Sequence, residues 1–371
     1  MTPIPPNEAL AGLRAIGVSL LSGVPCSSLA GLSAADGSLL GYIPASIEGE
    51  AVALACGAWL AGGLGAAAIQ SSGLGNTVNI LTSLAMPYAI PVALLVSWRG
   101  QPGTSDAYHQ QPMGERTLPL LELLDAAPAT LEDLDAGLEA LRRRLQRRRI
   151  ASWLIPRGVI AQGAAPEAPA PAPSLRAPRR FPGGAAAHEA ILAGVLARSD
   201  GAALISPTGH IARRLSAMTT RPEHFPMQGS MGFACALGLG VSLQQPRRRV
   251  VVLDGDGALL MRLGVLATVG RHGPRDFIHV VLDNGCYAST GGQPSSGRVD
   301  FAAAALASGY ARAGTAGAAG LDEALSWAFT GLGPTLLHVD LTRHGPPITA
   351  RPEAPPPELA LRFREAISDV R

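Results

Sequence analysis

Short apolar runs recur along this chain, and most stop abruptly at a polar, glycine-containing turn. Val250–Leu253 ends at Asp254-Gly255-Asp256-Gly257, and Phe277–Leu282 ends at Asp283-Asn284-Gly285. Ala66–Gln70 ends at Ser71-Ser72-Gly73-Leu74-Gly75-Asn76, and Val92–Ser97 at Trp98-Arg99-Gly100-Gln101-Pro102-Gly103. Runs of this kind, without polar alternation and bounded by turn residues, read as buried parallel strands. Tyr42–Pro44, Ser152–Ile155, Ala202–Ser206 and Thr335–Leu341 complete the set of expected strands. Between them the pattern changes to a helical period: Asn7–Gly17, Ala51–Ala61, Thr77–Ala85, Leu131–Gln146, Ala186–Leu196, Ile211–Ala217, Met231–Leu243, a helix starting near Ala258, and Glu358–Val370. The alternation predicts an α/β protein with mainly parallel sheets flanked by helices.

One stretch interrupts the series. AAPEAPAPAPSLRAPRRFP, residues 164–182, is rich in proline and alanine and predicts an exposed, semi-rigid linker. The expected organisation is therefore a domain over 1–163, a linker over 164–182 and a second domain over 183–371.

The unit from Val250 to Tyr287 reads as strand, turn, helix, strand, with polar residues at the carboxyl end of both strands. Ligands of open α/β sheets bind at that edge. Asp256 lies between two glycines, so backbone can approach a ligand closely there. The helix after it turns its positive end to the same place, which favours phosphate. Asp256 and Asn284 offer the hard oxygens that magnesium or calcium takes. A metal-bridged diphosphate is the expected ligand. The bland alternative is an ordinary Asp-Gly turn.

Composition narrows the chemistry. The 30 basic residues are all arginine, which excludes Schiff-base enzymes and Walker-type phosphate loops. Aromatics are 4% of residues and the net charge is +2, so neither a base-stacking platform nor a field for polyanions is present, and no nucleic-acid partner is expected. Arg142–Arg149 (RRRLQRRR) sits on an amphipathic helix beside acidic residues and reads as a solvated face. Gly63-Leu64-Gly65-Ala66-Ala67-Ala68 fits a loose dinucleotide pattern but precedes a strand, the wrong place for a pyrophosphate turn. Cys26, Cys56, Cys235 and Cys286 form no paired motif, the histidines show no ligand spacing, and neither a leader nor a membrane span is recognisable. A reduced, cytoplasmic protein is the expectation.

The Gly255-Asp256-Gly257 turn with Asn284 at its spacing resembles the fingerprint of thiamin-diphosphate enzymes. The resemblance implies two domains of the thiamin-diphosphate-binding fold, pyrimidine-side then diphosphate-side, with thiamin diphosphate and Mg2+ as cofactors. Asp256 and Asn284 would hold the metal together with the backbone carbonyl of Cys286. Gly255, Gly257, Ala258 and Thr208 would line the diphosphate. Gly285 departs from the family, which has a second asparagine there. The resemblance also implies a glutamate that protonates the aminopyrimidine ring. Glu48, opening EGEAVALACG, matches it, with Glu50 as competitor. Gly229-Ser230-Met231-Gly232 matches the segment in which a large apolar side chain, here Met231, bends the cofactor.

Within that class the chain resembles phosphonopyruvate and sulfopyruvate decarboxylases, through Gly23-Val24-Pro25-Cys26-Ser27, Ser72-Gly73-Leu74-Gly75-Asn76, Trp98 to Gly103, Met113-Gly114, Gly229 to Gly232 and Ser289-Thr290-Gly291-Gly292-Gln293-Pro294. Ser71 and the loop Asp106-Ala107-Tyr108-His109-Gln110-Gln111-Pro112 depart from the phosphonopyruvate pattern. The implied activity is decarboxylation of phosphonopyruvate to phosphonoacetaldehyde, in phosphonate biosynthesis. Sulfopyruvate decarboxylation is one alternative, and a non-catalytic binding subunit is the other. For the small 3-substituted pyruvate, Ser72, Asn76, Arg99, Thr290 and Gln293 are candidate contacts, and His109 is a candidate proton donor or anion contact. His210 and Arg213 stay open between cofactor and fold. The resemblance further implies a homo-oligomer with its active site at a subunit interface.

Overall fold

The computed structural model of the chain describes residues 2–34, 39–130, 133–163, 176–295, 297, 299–343, 345, 348, 351–352 and 354–368. The chain divides into two compact units, 1–169 and 170–371. Both are the α/β type that the strand and helix pattern predicts.

The first unit is built on six strands: β1 Leu20–Gly23, β2 Tyr42–Pro44, β3 Gly65–Gln70, β4 Ala93–Trp98, β5 Pro128–Thr130 and β6 Ala151–Pro156. They form one sheet in the order β2-β1-β3-β4-β6-β5, and every neighbouring pair is parallel. Its central strands are buried on both faces, which is why they read as unbroken apolar runs. One face is covered by the helices Pro6–Ala15 and Leu134–Gln146, whose Leu10, Leu13 and Leu141 join Leu21, Ala66, Leu95 and Trp153 in one core. The other face takes the helix Glu48–Leu60, buried from Gly49 onward. Its small residues permit a very close approach: a Cβ on Gly65 would sit 2.2 Å from the Cα of Ala55.

The second unit has β7 Arg179–Arg180, β8 Ala203–Ser206, β9 His224–Pro226, β10 Val250–Gly255, β11 Phe277–Asp283, a separate hairpin of β12 Cys286–Tyr287 and β13 Gln293–Pro294, then β14 Arg312–Ala316 and β15 Thr335–Asp340. The main sheet runs β7-β14-β15-β11-β10-β8-β9 and is also parallel throughout. Setting the edge strand β7 aside, this is the strand order of the first unit repeated. Helices His188–Leu196 and Leu321–Thr330 pack with Val251, Leu253, Ile278 and Val280 on one face. Ala234–Gln244 covers the other, where a Cβ on Gly238 would come 2.4 Å from Val252.

Several expectations need correction. The helix over Met231–Leu243 begins only at Ala234, because Ser230 (φ 54°) and Gly232 (φ 90°) hold a tight turn before it. Thr77–Ala85 is not one α-helix; short helical turns of changing pitch run from Ser71 to Ala85. Met113-Gly114 lies in a helix, Gln111–Leu123, that Pro112, Gly114 and Pro119 hide from a periodicity reading. Residues 164–175 of the expected linker lie outside the described residues. The remainder is partly drawn into the fold. Arg179–Arg180 pairs with β14, and Phe181 is buried in the second core, with the Arg179 guanidinium 4.6 Å over its ring.

Candidate active site

In the second unit the site begins with strand register. Val250–Gly255 pairs with Phe277–Leu282 residue for residue, so β10 and β11 run side by side to the same edge. The turns that follow them, carrying Asp256 and Asn284, are neighbours for that reason alone. β8 pairs with β10 on one side and β9 on the other, so the chain reverses direction of winding at β8. A crevice opens at such a switch point. Here it is a cavity of about 350 Å³ walled by the ends of β8, β10 and β11 and the segments after them.

Of the residues expected to serve the cofactor or metal, Thr208, Met231, Gly255, Asp256, Gly257, Ala258, Asn284 and Cys286 line this cavity. Gly229 and Ser230 are not on its wall; they form the turn that brings Met231 to it. Asp256 opens the helix Asp256–Met261 and is 4% exposed, with Oδ2 meeting no donor among the described residues. Burial, then the neighbouring Asp283, raises its carboxyl above the ordinary range; the Ser295 hydroxyl and Gly257 amide act the other way. A buried, acceptor-only oxygen of this kind fits a bound cation. Asn284 offers its Oδ1 to the Cys286 amide at a long 3.3 Å, and its Nδ2 to the Arg343 carbonyl at 3.4 Å. Gly257 has no room for a side chain, since a Cβ would lie 2.4 Å from the Tyr287 ring.

His210 and Arg213 also line the cavity, with Gly209 (φ 101°) ahead of the helix His210–Met218. That N-terminus and the arginine favour an anion such as a diphosphate. Burial, then Arg214 and Arg213, keeps the His210 imidazole below its usual value, and burial with Arg214 does the same at His188. His188, Gln228, Tyr287 and Arg351 line the cavity too, and no sequence motif singles them out; Ser289, which opens the segment Ser289–Pro294, lines it as well. The donor set and the cationic wall thus fit thiamin diphosphate with a divalent metal. Behind Asn284, Asp283 Oδ2 accepts from His338 Nε2 at 2.9 Å, with Asp340 close by. Sequence spacing does not show this group; the pairing of β11 with β15 makes it.

Thr290 and Gln293 do not line the cavity. They bond each other across the β12–β13 hairpin, Thr290 Oγ1 to Gln293 Oε1 and Gln293 Nε2 to the Thr290 carbonyl, both at 2.9 Å.

In the first unit, Glu48 begins the helix Glu48–Leu60 and is half-buried. Asn76 donates Nδ2–H to Glu48 Oε2 at 2.8 Å. Glu50, the competitor, is 1% exposed and bonds the Ser46 hydroxyl, which leaves Glu48 the glutamate open to a ligand. Arg99 follows β4, but two of its nitrogens are gripped by Asp106, at 2.7 and 2.6 Å. That fork, with amides from Gly100 and Ala107, holds the Asp106 carboxyl far below the usual range. Arg99 therefore fastens its loop, and only Nη1, 3.5 Å from Gln70 Oε1, is left for a substrate. Ser72 is exposed and bonded to Gln70. His109 is exposed, beside the Gln110 amide at 3.1 Å.

Comparison with known proteins agrees with this geometry. Residues 208–339 match the thiamine pyrophosphate enzyme C-terminal TPP binding domain, which places the cavity in a thiamine-diphosphate-binding domain. The phosphonopyruvate decarboxylase of Streptomyces viridochromogenes is 42% identical over 97% of this chain and 94% of its own length. That of Streptomyces hygroscopicus is 42% identical over 97% of this chain and 93% of its own. A sulfopyruvate decarboxylase of Methanosarcina acetivorans is 27% identical over 78% of each chain. The chain belongs to the phosphonopyruvate decarboxylase family of thiamine-diphosphate enzymes.

Proposed function

We propose that this protein decarboxylates phosphonopyruvate to phosphonoacetaldehyde and carbon dioxide, as a step of phosphonate biosynthesis in the cytoplasm. The observation behind the choice of substrate is the 42% identity to two phosphonopyruvate decarboxylases along nearly the whole chain, against 27% over 78% for the sulfopyruvate relative. Thiamin diphosphate, when bound, supplies the electron sink for the pair left by the departing carbon dioxide.

The chain's own residues do the rest. Asp256, Asn284 and the Cys286 carbonyl would hold Mg2+, which would supply positive charge to neutralise the diphosphate. Gly255, Gly257 and Ala258, with Thr208, would line that diphosphate, and Met231, carried by the Gly229–Ser230 turn, would be the apolar side chain against the cofactor. Glu48 would hold the proton that is exchanged with the aminopyrimidine ring. Ser72, Arg99 Nη1 and the second Nε2 hydrogen of Gln293, which Thr290 braces, would supply donors for a substrate bearing two anionic groups, and His109 would supply the proton of the product. Neutral donors suit the carboxylate that leaves as a neutral gas, because they hold the ground state no more tightly than the transition state. The working form is a homo-oligomer in which Glu48 of one subunit serves the cofactor anchored at Asp256 of another.

The test offers phosphonopyruvate, sulfopyruvate and pyruvate separately to the protein with thiamin diphosphate and Mg2+, and identifies the aldehyde. Phosphonoacetaldehyde formed fastest is the expected result. Preferred turnover of sulfopyruvate would reassign the substrate, and turnover of neither dianion would remove the reading.

A further inference from the structure

We propose that Asn76 is a positioning residue for Glu48 and does not contact the substrate. The inference rests on the reading of Glu48 as the proton-exchanging group of the cofactor site.

Both oxygens of the Glu48 carboxylate are placed by the segment after β3. Oε2 accepts the Asn76 Nδ2–H at 2.8 Å. Oε1 lies flush on Gly73, where an added Cβ would come within 2.0 Å of it and 2.3 Å of Cδ. Only a glycine leaves the carboxylate this position. The segment is itself held firmly. Leu74 and Thr77 are fully buried, Thr77 Oγ1 donates to the Leu74 carbonyl at 2.7 Å, and Ser71 Oγ accepts the Arg99 amide at 3.1 Å. Glu48 stands on the first turn of a helix whose next residues are buried, so the backbone on both sides of the contact is held.

The chemistry of the partner suits the task. An arginine in place of Asn76 would pin the carboxylate in its ionised form. A neutral amide orients it without adding charge and cannot lose a proton itself. It occupies Oε2 and leaves Oε1, the oxygen that lies against Gly73, as the one that gives and takes the proton. Glycine at 73 and asparagine at 76 are then two parts of one clamp.

Exchange of the bound cofactor's C2 proton with deuterated solvent, followed by acid quench and NMR without substrate, separates the possibilities. Cofactor affinity is measured by calorimetry on the same samples. Glu48→Gln should slow exchange about 100-fold; exchange at the unaltered rate would remove the Glu48 reading, and this inference with it. Given that loss, Asn76→Asp, close in shape but without the donor, and Gly73→Ala should each slow exchange about tenfold or more, with cofactor affinity within about twofold. Asn76→Ala should do the same and leave KM for phosphonopyruvate unaltered. If both Asn76 variants exchange normally and only KM rises, Asn76 is a substrate contact and the proposal is overturned.

Discussion

At the scale of single residues, burial decides what each polar group can do. Asp256 and His224 are both buried, with opposite consequences. Asp256 has an oxygen that meets no donor among the described residues, and a raised carboxyl, so its buried charge disfavours the cation-free protein. Asp256→Asn should leave the cofactor-free melting temperature equal or higher. It should also abolish the rise of roughly 5–10 °C expected when Mg2+ and thiamin diphosphate are added at about 100 times Kd. A full rise in the variant would remove Asp256 from the anchor. His224 sits under Ser206, whose Oγ is 2.8 Å from Nε2, and burial pushes its imidazole down to about 3. The unfolded chain takes this proton first as pH falls below about 6.5, so the stability His224 confers is full above that pH and drains away toward pH 3. Between pH 7 and 5 the loss from this residue is about 2 kcal/mol. Urea unfolding of His224→Asn at the two pH values should show a pH dependence smaller by that amount. An unaltered dependence would mean that the imidazole is protonated in the folded state.

At the scale of elements, the two units use the same device. A helix of small residues crosses from the second strand in chain order to the third and lies almost on the backbone of the sheet. In the first unit it is Glu48–Leu60 against Gly65; in the second it is Ala234–Gln244 with Gly238 against Val252. Each such helix begins at or just after a candidate site residue, Glu48 at the start of one and the Met231 turn before the other. Close packing therefore fixes where those side chains emerge. Gly65→Ala would place its Cβ 2.2 Å from the Ala55 Cα and 2.5 Å from its carbonyl oxygen, backbone atoms that cannot swing aside. A loss near the upper end of about 1–3 kcal/mol is expected in urea unfolding. Gly41→Ala, which meets nothing within 4 Å, should change stability by less than about 0.5 kcal/mol. Equal effects of the two would show that the helix does not depend on this contact.

At the scale of the whole molecule, Glu48 and Asp256 belong to different compact units, and the proposed assembly joins them from different subunits. Glu48→Gln and Asp256→Asn should each be nearly inactive. Mixed, dissociated and reassembled in equal amounts, they should regain roughly a quarter of the unaltered activity, because half the dimers are hybrids and each hybrid holds one intact site. No recovery, with hybrids demonstrated by mass, would mean that each site is made within one chain. Among the described residues no helix is long and apolar enough to cross a membrane.

The fold class and the candidate anchor are legible in the sequence, because both rest on local chemistry. Parallel strands buried on both faces must be unbroken apolar runs, so β3, β4, β10 and β11 are legible as such. An acidic glycine turn followed one strand–helix–strand unit later by Asn284 needs no distant partner to be read. What failed locally was short or masked: β1 is four residues ending in serine and glycine, and the prolines of Gln111–Leu123 conceal its helix. Which groups engage one another is set by folding. Register set β10 beside β11 and so brought Asp256 to Asn284. Packing turned Arg99 onto Asp106, Thr290 onto Gln293 and Asn76 onto Glu48, 28 residues away along the chain. A side chain's residue type states what it can bond, but the partner it finds depends on distances that the folded chain alone fixes.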